Sequence, residues 1–402
     1  MNKVIAFAGA VVFSLFLWRC TDDNVSPTTN PVEVSSQIAD RTTDFAFSFF
    51  NKIQATQPAQ ENVFVSPLSV HMALGMLLNG AEGETATQIK EALKAEGISQ
   101  ADLNEAYQAL LNGLPEADPK VELGLANSVW YRNTFQVQDN FLNVLRQSFD
   151  ARVEGLDFTS PTAKDKINTW ASEQTNGKIK KVIDQIQEQD VLFLLNALYF
   201  KGDWKYQFDP EKTSDAPFYL ANGQTKTVKM MRIKEKFKSA IKDNYAAVQL
   251  PYANGQYNLT LLIPAQETGV NELIQGFTAQ NWNDLQSTMK EAQVTVGLPR
   301  FTLDYEIKLN DVLKAMGMTR AFTDDAQLDK INPNEPLYVS LVKQNTYLGI
   351  DEKGTEAAAV TTVGVGVTSV GPDPYICDHP FVLLISEKTS NTVLFMGRIM
   401  NP

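Results

Sequence analysis

Histidine and cysteine are nearly missing: the chain has 402 residues and two of each. Zinc sites usually need His and Cys clustered at short spacing, and no such cluster exists, so no metal is expected. Cys377-Asp378-His379 invites a Cys/His nucleophile reading. On a strand the two side chains share a face two residues apart, which does not bring sulfur cleanly to imidazole. His71 lies on an apolar helical stretch and is read as a core histidine. With Cys20 near the N-terminus, Cys377 lacks a disulfide framework and is read as a buried, inert thiol in Tyr375-Ile376-Cys377. No G-x-S-x-G, Walker or dinucleotide glycine motif is present, so no cofactor is expected. Carboxylate pairs such as Asp324-Asp325 read as solvated turns. Carboxylates alone leave glycosidase chemistry open, but nothing points to it. Positive charge is also short: the net charge of −12 argues against nucleic acid, whose phosphates need clustered Lys and Arg. The longest apolar run, Val4–Trp18, is short for a membrane span.

That run instead reads as the core of an export signal after the basic start Met1-Asn2-Lys3. Residues 1–19 are expected to be a signal peptide. Cys20 and the following Thr21-Asp22-Asp23-Asn24 resemble a bacterial lipoprotein signal, in which the cysteine is lipidated. Acidic residues in that place resemble the surface-export signal of some Bacteroidetes lipoproteins. Leu17-Trp18-Arg19 departs from the small residues usual there, and a plain secretory peptide is the alternative. Residues 20–36, rich in Ser, Pro, Thr and Asn, read as an anchor and flexible tether.

The rest carries hydrophobic content enough for a sizeable core, 44%. Helices are expected from about Ser35 or Ser36, over Pro67–Leu78, after the turn at Gly80–Thr85 to about Leu93, and over Ala101–Leu111, Phe141–Phe149, Ala163–Thr175, Val270–Met289 and Ile307–Met316. Strands are expected over Val121–Tyr131, Val191–Phe200, several within Thr225–Ile263, Ala292–Leu303, Tyr338–Ile350, Phe381–Ser386 and Val393–Ile399. The near-continuous apolar Val191–Phe200 suggests a strand buried on both faces, with the amide of Asn196 needing partners inside it. No repeat and no composition break interrupts 37–402, which argues for one mixed domain.

Asp351–Gly371 organises the chain. After Asp351-Glu352-Lys353-Gly354, the residues Thr355, Ala357, Ala359, Thr361, Val363, Val365 and Val367 share one face in a period of two. None is charged or large. Gly364, Gly366 and Gly371 weaken a resident strand. The stretch is therefore either an exposed loop or a strand with an apolar face ready to bury.

Glu352-Lys353-Gly354-Thr355-Glu356-Ala357-Ala358-Ala359 resembles the hinge of inhibitory serpins. Asn62–Ser69, Gly80–Thr85, Asn196–Trp204, Leu298-Pro299-Arg300-Phe301, Asp378-His379-Pro380-Phe381 and Phe395-Met396-Gly397-Arg398 are similar to further serpin motifs, in the family's order. The resemblance implies an α+β fold with three β-sheets, eight or nine helices and an exposed reactive-centre loop, here about 352–372. It implies no enzyme but a suicide inhibitor: a protease attacks the loop, forms an acyl-enzyme, and is trapped when the cut loop inserts into the central sheet. The hinge carries over to Glu352, Gly354, Thr355, Glu356, Ala357, Ala358 and Ala359, and the sheet-opening region to Ser66, Ser69, Asn196, Trp204 and Gln344. Gln344 stands where the family usually has histidine, and Val360 where alanine, serine or threonine is usual. Counting from Glu352 puts the scissile bond at Thr368-Ser369, with Val367 or Ser369-Val370 as alternatives. No Lys or Arg lies between Gly354 and Glu387, against a trypsin-like target. Elastase-like or subtilisin-like serine proteases fit, and a papain-like cysteine protease also forms the acyl intermediate. The partner expected is thus a protease, held covalently by a monomeric, extracellular or surface-anchored protein. A non-inhibitory serpin acting as a binding protein is the rival reading.

Overall fold

The computed structural model describes residues 30–265, 269–355 and 375–402. The chain opens with α1 (Ser36–Thr56), capped by the Ser35 hydroxyl, which accepts from the Ile38 N–H. The tether is already docked before it: Val32 is 4% exposed, and its N–H donates to Thr389 Oγ1. β1 (Val63–Val65) runs into α2 (Pro67–Gly80). Ser66 caps α2 through its hydroxyl, and Pro67 suits the first turn because its missing N–H would have no helical partner. α2 is apolar nearly all round and is buried along almost its whole length. There follow α3 (Gly83–Ala92), α4 (Gln100–Glu116), β2 (Val121–Arg132), α5 (Asp139–Phe149), β3 (Arg152–Leu156), α6 (Pro161–Gln174) and β4 (Leu192–Asp203). Then come β5 (Ser214–Tyr219), β6 (Thr225–Ile241), β7 (Tyr245–Pro251) and β8 (Tyr257–Pro264). After these stand α7 (Val270–Gly276), α8 (Ala279–Thr288), β9 (Lys290–Pro299), β10 (Phe301–Lys308) and α9 (Asn310–Ala315). The chain closes with β11 (Lys343–Ile350), β12 (Gly354–Thr355), β13 (Phe381–Glu387) and β14 (Val393–Ile399).

Four expected elements differ. Val270–Met289 is two helices, because Phe277 is extended and Thr278 starts α8 with a capping box to Asn281. Ala292–Leu303 is divided at Arg300, whose N–H bonds Lys229 O, and its halves belong to different sheets. The helix expected at Ile307–Met316 is confined to Asn310–Ala315, since Ile307 and Lys308 still pair with β11. The strand expected from Tyr338 begins only at Lys343.

The strands form two hydrogen-bonded networks. One follows the order β1-β14-β13-β8-β7-β6-β5, with β9 also on β6. The 17-residue β6 pairs successively with β5, β9 and β7. It thereby fuses into one network what the resemblance counts as two sheets. The other network has the order β10-β11-β12-β4-β2-β3. Its inner face lies on the main core, with α2 packed against β4. Its outer face on the β2–β4 side is covered by α6. There Trp130 and Ala197 pack with Ile167, Trp170 and Ile183 in a separate apolar cluster.

Candidate functional site

The site lies where β11 turns back toward β4. Within the six-stranded sheet, β12 stands between these two strands. Thr355 pairs antiparallel with Ile350 on β11 and with Gly202 on β4, and Gly354 pairs with Asp203. Below Thr355, β4 and β11 have no registered pairing with each other among the described residues. A cleft of about 220 Å³ opens there between Leu192–Ala197 and Val342–Asn345. Its inner wall includes Ser69, Val70 and Ala73 of α2. This cleft leaves Leu192–Asn196 only half-buried, so the continuous buried run of β4 is Ala197–Phe200, unlike the strand buried throughout that the apolar run suggested.

The upper end is densely bonded. The Trp204 indole donates to Asp351 O at 2.9 Å and its backbone N–H to Lys353 O at 2.7 Å. Its ring stacks on Tyr252 with centroids 4.5 Å apart, and the Tyr252 hydroxyl meets Thr355 Oγ1 at 2.5 Å. Glu352 is buried. Its Oε1 accepts from Thr213 Oγ1 at 2.8 Å and lies 3.5 Å from Arg300 Nη1, and its carbonyl accepts from the Phe208 N–H. Asp351 accepts from the Lys353 and Gly354 N–H groups. Burial raises its carboxyl pKa, partly offset by those two bonds. Gly354 is needed for space rather than for a special backbone angle, because a Cβ there would lie 2.1 Å from Gly202 O.

The middle is built differently. The Gln344 carboxamide grips the backbone of Ser66 from both sides, accepting from its N–H at 3.0 Å and donating to its carbonyl at 2.9 Å. A carboxamide can do both at once, so glutamine serves where the family usually has histidine. Ser66 Oγ accepts from the Ser69 N–H. On the β4 side, Asn196 Nδ2 donates to Asn127 Oδ1 at 2.7 Å, whereas Asn196 Oδ1 is buried without a partner. The structure thus brings Ser66, Ser69 and Gln344 together, sets Asn196 across the cleft, and places Trp204 at the top with Glu352, Gly354 and Thr355. Glu356, Ala357, Ala358, Ala359, Val367, Thr368, Ser369 and Cys20 lie outside the described residues. Tyr252, Thr213 and Phe208 were not singled out in the sequence, and Arg300 only as part of the Leu298-Pro299-Arg300-Phe301 motif. They meet the hinge across more than fifty residues of chain, so no local signal marks these contacts.

The residues weighed for catalysis are tied up. His71 Nδ1 takes a hydrogen bond from the Tyr107 hydroxyl and Nε2 faces Leu93 O, and burial lowers its pKa to about 4. Burial holds the Cys377 thiol well above its usual pKa. His379 faces its neighbour Asp378, not Cys377. Among the described residues no group of three or more His, Cys, Asp or Glu is placed to hold a metal ion.

A family model described as serpin (serine protease inhibitor) matches residues 40–402. The chain belongs to the serpin family. It is 33% identical to the leukocyte elastase inhibitor of Bos taurus over 380 residues, covering 91% of this chain and 100% of that one. The thermophilic serpin tengpin in its native state superposes with a TM-score of 0.82 at 30% identity, covering 92% of this chain and 95% of that one. Thyroxine-binding globulin, in complex with thyroxine, gives 0.83 at 26% identity, covering 91% and 99%. The fold is the serpin fold, with nine α-helices among the described residues. Serpins are mostly protease inhibitors rather than catalysts.

Proposed function

We propose that this serpin is a suicide-substrate inhibitor of endopeptidases, and that the β4–β11 cleft receives its cleaved loop. The supporting observation is β12: Gly354 and Thr355 occupy a strand position between β11 and β4, antiparallel to both. A strand continued in that register would set Thr361 beside Gln344 and Asn196, where the unpartnered Asn196 Oδ1 can accept its hydroxyl. Thr355 already faces inward onto Tyr252, so the small uncharged residues two, four and six places on would face inward too. Fourteen inserted residues would span about 46 Å, enough to carry an acylated protease across the molecule before it deacylates. The bond attacked is Thr368-Ser369, with Val367-Thr368 and Ser369-Val370 as neighbours. The target is elastase-like or subtilisin-like, with papain-like enzymes also open to the mechanism. We also propose export by residues 1–19, a lipid anchor at Cys20, and a monomeric inhibitor at the outer-membrane surface or in the medium.

The test is denaturing electrophoresis after mixing the protein with elastase, subtilisin or papain. A band at the summed mass that survives boiling is expected, and sequencing the released C-terminal peptide identifies the cut. Cleavage with no such band from any of the three enzymes would support the second reading, a non-inhibitory binding protein, which the likeness to thyroxine-binding globulin favours.

A further inference from the structure

The connection from α6 to β4 crosses the front of the cleft, and its Ile179, Val182 and Ile183 line it. It is held from both sides. On the β2–β4 side, Asn168 of α6 accepts from the Val182 and Ile183 N–H groups and donates to Ile183 O. Arg132 of β2 donates to Glu188 O and Asp190 O. On the β10–β11 side the tie is ionic. Lys343, the first residue of β11, puts its ammonium 2.9 Å from Glu306 Oε2 on β10 and 3.2 Å from Asp184 Oδ2 on the connection. The lysine side chain is 4% exposed, although Asp184 is 57% exposed and also pairs with Lys181. An ammonium so shielded must keep its carboxylates or carry an uncompensated charge. The Ser340 hydroxyl adds a bond to Asp190 Oδ1. In the register of Thr355, Lys343 is one residue beyond Gln344, at the level where an inserting strand passes beneath the connection.

We propose that Lys343 is a positioning residue that pins this connection across the lower cleft and limits how fast a strand inserts past Gln344. The proposal rests on the insertion reading above. Its test uses the full chain and two readouts: amide exchange at 178–184, and uptake of a synthetic peptide with the sequence of residues 355–366. Lys343→Met and Asp184→Asn are each expected to speed exchange at 178–184 by about tenfold, with β13 amides unchanged, and to speed peptide uptake several-fold. Lys343→Arg and the control Lys181→Met are expected to keep wild-type rates. Should Lys343→Met fail to fold, Asp184→Asn, at an exposed position, decides alone. Wild-type exchange or wild-type uptake in Asp184→Asn would overturn the proposal, as would β13 amides accelerating in step. Pin-dependent uptake in a protein that forms no covalent protease band would defeat the inhibitor reading while leaving the pin intact.

Discussion

The upper end and the middle of the β4–β11 cleft are built on opposite principles. At the top, Trp204, Tyr252, Thr213 and Arg300 bond or contact the hinge, and Gly202 and Gly354 approach so closely that a side chain on Gly354 would collide with backbone. In the middle, Leu192–Asn196 are half-buried, Gln344 is committed to Ser66, and Asn196 Oδ1 has no partner. A buried acceptor left unpaired costs about 1–3 kcal/mol. The difference is between an end where β12 is held by bonds and close packing and a middle that has an open cleft and an unfilled hydrogen bond.

Substitutions should separate the two regions, the largest effect coming from the top. Thr355→Arg forces a cation against the buried Tyr252 hydroxyl, so insertion should fail and the inhibitor become a substrate. A covalent band with elastase at wild-type yield would defeat that account. Trp204→Ala removes the plate between Asp351 and Tyr252 and should cost about 3–5 kcal/mol in denaturant melts. Acid should act next, through His71, buried on α2 against Phe45 and Tyr107 and away from the cleft. Its folded pKa, about 4, lies below the unfolded value near 6.5. The unfolded chain therefore binds a proton the folded chain refuses. The resulting loss of stability grows as pH falls from about 6.5 to about 4 and reaches about 3 kcal/mol. His71→Gln should flatten that part of the stability–pH curve, and an unchanged slope would reject His71 as its source. Gln344→Ala should cost about 1–3 kcal/mol by leaving the Ser66 backbone unpaired, with Gln344→His recovering much of it.

Much of this was legible locally. Ser35 and Pro67 announce their helices because capping and first-turn chemistry act within a few residues. The order of motifs from Asn62 to Arg398 marks the family. The Thr278-to-Asn281 capping box is equally local, and it separates α8 from α7. Other features were beyond local reading. Nothing in Val191–Phe200 says that its first half borders a cleft, since an apolar run looks the same against a neighbour or a gap. Nothing near Val32 says that it docks on Thr389.

The amino-acid sequence by itself determined a row of small uncharged residues with a two-residue period after Gly354, a chain with only two histidines and two cysteines, and the lack of a basic residue between Gly354 and Glu387. These are properties of composition and of a two-residue period, which need no partner to be visible. Only the tertiary structure decided what the hinge touches. The Thr355–Tyr252, Glu352–Arg300 and Lys343–Asp184 contacts join residues far apart in the chain. Such pairings exist only once two sheets and α2 have packed, because burial and register select them and no local propensity encodes them.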